Sequence, residues 1–257
     1  MHGGRQLTFL GTGTSVGVPM IGCECAVCTS ANPRNSRYRS SVLVSLPAGN
    51  ILIDTTPELR LQLVRERLSR IDAVLYTHYH VDHLYGMDDL RIVAKYIEGP
   101  VPLYCTEEVE EVIRRVFSYA YGNVLPSGFV PQTAFRRIGT EPFTVLGQVV
   151  EPIPVEHSIF EVQAFRFDDL IYCTDVSRIP DASFARMRGV RTLILDCLRY
   201  QSHPAHLGLA DALAIIAELK PERAYLTHMS HELDYEVLND RLPEGVEMAY
   251  DGLKLDF

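Results

Sequence analysis

Apolar and polar positions change rhythm along the chain in short blocks, and those blocks predict alternating strands and helices. Residues 5–10 read as a first strand. Residues 40–54 read as a strand pair turning at Pro47, Ala48, Gly49 and Asn50 and ending in Asp54. Ile71–Thr77 is an apolar run short enough for a buried strand, and Val101–Cys105 is another. Later strands are expected at 142–156, 160–167, 170–174, Arg191–Asp196 and Ala224–Thr227. Between them, Thr56 and Pro57 suit the cap and first position of a helix that would bury Leu59, Leu63, Val64 and Leu68. Met87–Ile97 and Glu107–Phe117 read as helices, the second with acids at its start and Arg114 and Arg115 near its end, as the helix dipole favours. Gly208–Leu219 has a clear amphipathic repeat. The aromatic, Gly- and Pro-containing stretch 118–134 breaks the periodicity and is the place for a lid, a dimer contact or a plain packed loop. No linker, repeat or low-complexity segment divides the chain, so a single α/β domain is expected.

Chemistry concentrates just after the strand at 71–77, where His78, His80, Asp82 and His83 fall within six residues. Packing alone poorly explains so many metal-competent groups launched from a strand end. Neutral imidazoles and a carboxylate suit zinc, manganese or iron. His78 and His80 could serve one metal while Asp82 and His83 serve a second; a helix cap at Asp82 is the plain alternative. Asp54, His157, Asp175 and His228 also stand at strand ends. Asp54 could simply end its strand, but it also lies where a carboxylate could orient the metal histidines without binding metal itself. Farther along, the loop Leu198–Leu207 carries His203 and His206. His203 reads as solvent-exposed, and His206 as either a cap on the following helix or a proton donor.

Six cysteines divide by context. Cys105, Cys173 and Cys197 lie in or beside strands, where a buried, inert thiol is the default. Cys23, Cys25 and Cys28 crowd into a loop without hydrophobic rhythm and suggest a structural zinc clip. Such a site needs a fourth donor, which we assign to His231; three reduced thiols without metal are the alternative. Nearby, Gly11–Ser15 lacks the full spacing of a phosphate loop and is expected to form a tight turn near the metal residues. At 257 residues and 47% hydrophobic, the chain can bury a large core, and no apolar run reaches membrane-span length. The segment following Met1 lacks a hydrophobic signal region, so a soluble cytoplasmic protein is expected, in which a disulfide framework has no place. A formal net charge of −9 disfavours a nucleic-acid surface but not an anionic substrate, because bound cations would reverse the field locally.

In their order along the chain, Asp54, the His-x-His-x-Asp-His run, His157, Asp175 and His228 resemble the five motifs of the metallo-β-lactamase fold. The resemblance implies a four-layer αββα sandwich holding two divalent metals. It implies that His78, His80 and His157 bind one metal, that Asp82, His83 and His228 bind the other, and that Asp175 bridges them. The cysteine clip with His231, Asp54–Arg60 (DTTPELR), Gly86–Arg91 (GMDDLR) and the 203–207 loop are similar to the PhnP-type phosphodiesterases. That subgroup implies small or cyclic phosphodiester substrates, such as phosphoribosyl cyclic phosphate or cyclic nucleotides. It further implies manganese or zinc at the paired site, zinc in the clip, a homodimer and a leaving-group histidine matching His206; from the chemistry of the site, Asp82 is a candidate to share proton transfer. Ribonuclease Z shares the motif order but would want a basic docking surface, and residues 116–135 contain no Lys or Arg. Thiolester hydrolysis of the glyoxalase II kind fits the ligands but leaves the clip and His206 unexplained. PqqB carries a similar clip, and a metal-binding protein without turnover is the non-enzymatic reading.

Overall fold

The computed structural model describes residues 4–122 and 130–257. Among the described residues fourteen strands are formed: β1 (Gln6–Gly11), β2 (Ser41–Leu46), β3 (Gly49–Ile53), β4 (Ala73–Leu75), β5 (Val101–Cys105), β6 (Thr133–Arg137), β7 (Phe143–Val145), β8 (Gln148–His157), β9 (Phe160–Phe167), β10 (Leu170–Cys173), β11 (Thr192–Asp196), β12 (Arg223–Thr227), β13 (Val246–Met248) and β14 (Lys254–Asp256). They make two seven-stranded sheets, ordered β14-β1-β2-β3-β4-β5-β6 and β13-β12-β11-β10-β9-β8-β7. Each sheet is antiparallel on one side and parallel on the other, with β3 to β6 parallel in the first and β10 to β13 parallel in the second.

Strand alternation explains why the sheets stack and why both carry helices. Along β3, Ile51 and Ile53 face the other sheet while Leu52 faces outward. Along β10, Leu170 and Tyr172 point between the sheets, and Ile171 and Cys173 point to the opposite side. Strands buried on both faces read as unbroken apolar runs, which is the pattern the sequence shows at these strands. One core therefore lies between the sheets and one outside each sheet, giving the four-layer αββα sandwich expected from the sequence. Helices α1 (Leu59–Arg65), α2 (Val81–Leu84), α3 (Leu90–Val93), α4 (Glu107–Val116) and α5 (Ser118–Tyr121) belong to the first sheet's side. Helices α6 (Asp181–Met187), α7 (Leu209–Leu219) and α8 (Tyr235–Asn239) cover the second.

Several local expectations are corrected. Thr56 does not cap α1: its hydroxyl donates to Gln62 Oε1, and the helix begins at Leu59, after Pro57. Val64 is 66% exposed, because the short helix buries only the face carrying Leu59 and Leu63. The helix expected over Met87–Ile97 forms without a break over Met87–Tyr96, but only Leu90–Val93 is α-helical, with a 3-10 turn on either side. Its entry is pinned at Gly86, where a Cβ would stand 1.9 Å from the Thr56 carbonyl. Leu146 and Gly147 turn the expected 142–156 strand into the hairpin β7–β8. Within 118–134, Ser118–Tyr121 belong to α5 and Thr133 and Ala134 to β6, while residues 123–129 lie outside the described residues. Among the described residues no helix is long and apolar enough to cross a membrane.

Candidate metal centre

Parallel strands β3, β4, β10, β11 and β12 all end at one edge of the sandwich, and their following residues turn into the same space. Asp54 sits immediately after β3, Asp175 two residues after β10 and His228 immediately after β12, with φ of 65°, 52° and 60°. Left-handed backbone is uncommon for residues other than glycine and collects at functional sites. A tight backbone exchange locks the last of these positions: Thr14 N donates to the Met229 carbonyl, and Met229 N donates to the Thr12 carbonyl. The Gly11–Ser15 turn thus packs beside His228, as its tight spacing suggested. At Gly11 a Cβ would lie 2.0 Å from the Arg39 carbonyl.

Hydrogen bonds set the direction of the imidazoles. Asp54, fully buried, accepts the Thr77 backbone N–H on one oxygen and the Thr77 hydroxyl on the other. With its proton spent there, Thr77 Oγ1 accepts from His78 Nδ1 at 3.0 Å. His83 Nδ1 donates to Asp54 Oδ2 at 2.7 Å. His157 Nδ1 donates to the Ala205 carbonyl at 2.6 Å. Each of these rings consequently turns Nε2, with its lone pair, into the site. An outer partner fixing tautomer and ring plane in this way is the usual companion of a metal-binding histidine.

Two donor groups result. Ligand atoms of His78, His80 and His157 lie within 4.8 Å of one another, as do those of Asp82, His83, Asp175 and His228. Asp175 also falls in a set with His157 and His206, so its carboxylate reaches toward both groups. His78 Nε2, His83 Nε2 and His228 Nε2 are buried without a hydrogen-bond partner among the described residues. Orphaned buried nitrogens of this kind are rare in folded proteins, and here they converge on shared points.

Charge supports the same conclusion. Burial opposes protonation of His83, yet Asp175, Asp82 and Asp54 outweigh it and raise its pKa well above the ordinary imidazole value. Against the same burial, Asp175, Asp82 and Asp196 lift His228 to about 9. Burial pushes His78 well below its usual value, with His83 adding to the effect. The carboxylate-bearing group therefore demands positive charge, which a divalent cation satisfies on displacing protons. The all-histidine group offers neutral nitrogen donors. Donor chemistry and geometry both fit two divalent metals.

His206 sits above this pair of groups. Its ring lies 4.6 Å from that of His157 and stacks at 4.7 Å on that of His228. It does not cap α7, whose leading Gly208 N–H donates to Asp211 instead. The His206 Nδ1 donates to Asp196 Oδ2 at 3.1 Å, which leaves Nε2 free. Asp196 is the functional residue that sequence reasoning missed. It is fully buried, accepts the Val176 and Leu207 backbone N–H groups, and stands 3.7 Å from His228 Nδ1. Its signal was the one carried by Asp54 and Asp175, an acid closing an apolar strand. His203 is half-buried rather than exposed, its Nδ1 accepting from Ala205 N and its ring 5.5 Å from His206.

A second cluster lies on the same polypeptide turn. Cys23 Sγ and Cys25 Sγ each approach His231 Nδ1 at 3.3 Å, and the donor atoms of Cys23, Cys25, Cys28 and His231 lie within 4.8 Å of one another. Backbone N–H groups of Met20 and Cys28 point at the Cys28 and Cys25 sulfurs. The Cys28 N–H and His231 lower the Cys25 pKa to about 6, so a thiolate is available for metal. Three thiolates and an imidazole fit a tetrahedral structural zinc. By contrast, burial pushes the Cys105 thiol up to about 12 and raises Cys173 and Cys197 further, as inert core thiols.

Comparison with known proteins agrees with this architecture. Residues 49–229 match the β-lactamase superfamily domain. A solved structure titled as a new diphosphatase from the PhnP family superposes with a TM-score of 0.93 at 42% identity, covering 98% of this chain and 97% of that one. A coenzyme PQQ synthesis protein B from Methylobacterium radiotolerans is 30% identical over 229 residues, 74% of this chain and 72% of that protein. An octanoyltransferase from Porphyromonas gingivalis is 33% identical over 252 residues, 96% of this chain, which spans 50% of that protein's length. The chain belongs to the β-lactamase superfamily and is a PhnP-like metallo-hydrolase of that fold.

Proposed function

We propose that this hydrolase cleaves small or cyclic phosphodiesters, phosphoribosyl cyclic phosphate or cyclic nucleotides among them, at a paired metal site. The observation that carries the reading is His206, held by Asp196 over two adjoining donor groups that fit two metals. The likeness to a PhnP-family diphosphatase supports phosphorus–oxygen cleavage. The Porphyromonas acyl-transfer name belongs to a protein twice as long in span and is not brought across.

In this reading His78, His80 and His157 hold one cation, Asp82, His83 and His228 the other, and Asp175 touches both. Manganese or zinc suits these mixed nitrogen and oxygen donors, and zinc suits the clip of Cys23, Cys25, Cys28 and His231. Bound there, the two cations would lower the pKa of a water and offset the charge of the diester. The protein's own part is orientation and proton transfer. Asp54 fixes His78 and His83, the Ala205 carbonyl fixes His157, and Asp196 presents His206 Nε2 to the leaving oxygen. An alkoxide is a poor leaving group, and His206 would protonate it, while Asp82 is placed to share the proton from the attacking water. A reducing cytoplasmic setting would keep the clip thiols free, and a homodimer is part of the same proposal.

His206→Ala tests the assignment through leaving-group dependence. Hydrolysis of bis(p-nitrophenyl) phosphate, whose leaving group needs no proton, should fall by about tenfold or less. Diesters with alkyl leaving groups should lose roughly 10²–10⁴-fold. Equal losses for both would remove His206 as the acid. A second reading, hydrolysis of a diphosphate linkage, is favoured by the diphosphatase at 42% identity. It uses the same residues and is separated by offering a diphosphate beside a diester.

A further inference from the structure

Arg37 is 1% exposed, which makes it a charged group among the largest fully buried side chains. Its guanidinium makes three hydrogen bonds among the described residues, and all three end on neutral oxygens. Nη1 donates to the Ser230 carbonyl at 2.8 Å, and Nη2 to the Leu233 carbonyl at 2.6 Å and to Asn35 Oδ1 at 3.3 Å. Nε is buried without a partner. A buried cation without a countercharge is strongly unfavourable, so the position calls for an anion. Burial lowers the Arg37 pKa to about 10, while Asp251, Asp234 and Cys28 act in the opposite sense and keep it charged near neutral pH.

The two carboxylates of that set are engaged elsewhere. Asp251 accepts from Arg65 Nη1 at 3.0 Å, from Tyr38 N at 2.9 Å and from the Thr12 hydroxyl at 2.9 Å. Asp234 accepts from Asn35 Nδ2 at 2.9 Å and caps α8 through Val237 N at 3.0 Å. The third anion is the clip, and Arg37 is tied to both segments that supply its donors. The Ser230 and Leu233 carbonyls flank His231. Arg37 N donates to the Val18 carbonyl at 2.7 Å, and Val18 N donates back to the Arg37 carbonyl at 3.0 Å. Two residues after Val18, Met20 N meets Cys28 Sγ at 3.3 Å. Asn35 Nδ2 also donates to the Ser30 hydroxyl at 3.1 Å, two residues past Cys28.

Charge gives this placement a purpose. Three thiolates outweigh the two positive charges of a zinc ion, so a loaded clip of Cys23, Cys25, Cys28 and His231 is an anion in half-buried surroundings. One fixed cation beside it restores neutrality. We infer that Arg37 is the counter-cation of the loaded clip: its charge strengthens metal binding by the thiolates, and its two carbonyl contacts hold the turn that presents His231. The inference rests on the reading that the clip holds zinc. Because such coupling is reciprocal, removing the charge should cost more stability in zinc-loaded protein than in zinc-free protein.

Cobalt(II) reads the clip alone, since the paired donor groups contain no thiol and cannot give a sulfur-to-cobalt charge-transfer band. Metal-free wild-type protein, Arg37→Met and Arg37→Lys are titrated with cobalt, which zinc then displaces. Arg37→Met should weaken zinc at the clip by about 10–100-fold. Arg37→Lys keeps the charge and gives up the planar fork, and it should stay within about threefold of wild type. Melting temperatures with and without zinc should show the larger loss for Arg37→Met in the loaded protein. Unaltered zinc affinity in Arg37→Met, equal weakening in both variants, or equal melting losses with and without zinc each overturn the inference. Should Arg37→Met not fold, Arg37→Lys decides: a loss of about tenfold or more in that cationic variant overturns the inference, and near-wild-type affinity supports it. A wild-type protein without the sulfur-to-cobalt band removes the zinc-clip reading and this inference with it, whereas a normal band with unaltered affinity in Arg37→Met removes the inference alone.

Discussion

Asp175→Asn is expected to reduce diester turnover by about 10³-fold or more, a loss of roughly 4 kcal/mol in transition-state stabilisation. Asparagine keeps the side-chain shape and tolerates the φ of 52° at this position, so the backbone turn survives. What disappears is the negative charge that reaches both donor groups. One Asp175 oxygen lies 3.2 Å from His83 Nε2 and the other 3.3 Å from His228 Nε2. On the proposed paired site the variant should bind one active-site metal and wild-type protein two, as read by elemental analysis beside the rate. Full turnover with two metals retained would show that Asp175 is dispensable. Asp175→Ala should be worse in stability as well, because alanine at a left-handed position adds backbone strain of about 1 kcal/mol.

The second large effect is on stability. On the proposal that the clip holds zinc, Cys25→Ser, or treatment with a chelator, should lower the melting temperature by about 10 °C or more, since a structural zinc contributes directly to folding. The clip joins residues 23–28 to His231, while the stretch after it is held separately, by Asn32 Nδ2 to Glu236, Asn35 Nδ2 to Asp234, and the buried Arg37 donating to the Ser230 and Leu233 carbonyls. The effect should pass to the active site, because His231 lies three residues beyond His228 on a segment clamped by Thr12 and Thr14. Differential scanning calorimetry of the variant beside wild-type protein checks this. An unchanged melting temperature with a full complement of clip zinc removed would show that the loop stands without metal.

Much of the metal centre was legible in the sequence because each group announces itself in the same way. Asp54, His78, His157, Asp175 and His228 all follow apolar strand segments, and the order of those segments carries the topology. Asp196 obeyed the same rule yet was passed over, since Cys197 after it made the segment read as core. The structure gives it a role by bringing His206 from a loop ten residues later back onto its carboxylate. Short elements were the least legible. Strands β6, β13 and β14 and helices α6 and α8 span seven residues or fewer, too little for a 2.0 or 3.6 repeat to emerge. The helix expected at 87–97 forms, and what the sequence did not show is that 3-10 turns flank its single α-helical turn, a local tightening that leaves no mark on a 3.6-residue repeat.

Metal-dependent turnover of a diester at paired sites is the central claim, and titrating metal-free protein tests it most directly. Manganese or zinc would be added stepwise while bound metal and bis(p-nitrophenyl) phosphate hydrolysis are followed together. Hydrolysis should be nearly absent while the clip fills and should rise as two further equivalents bind per chain. A protein that binds all three equivalents and hydrolyses no diester, or one whose full activity arrives with the clip metal alone, would contradict the account.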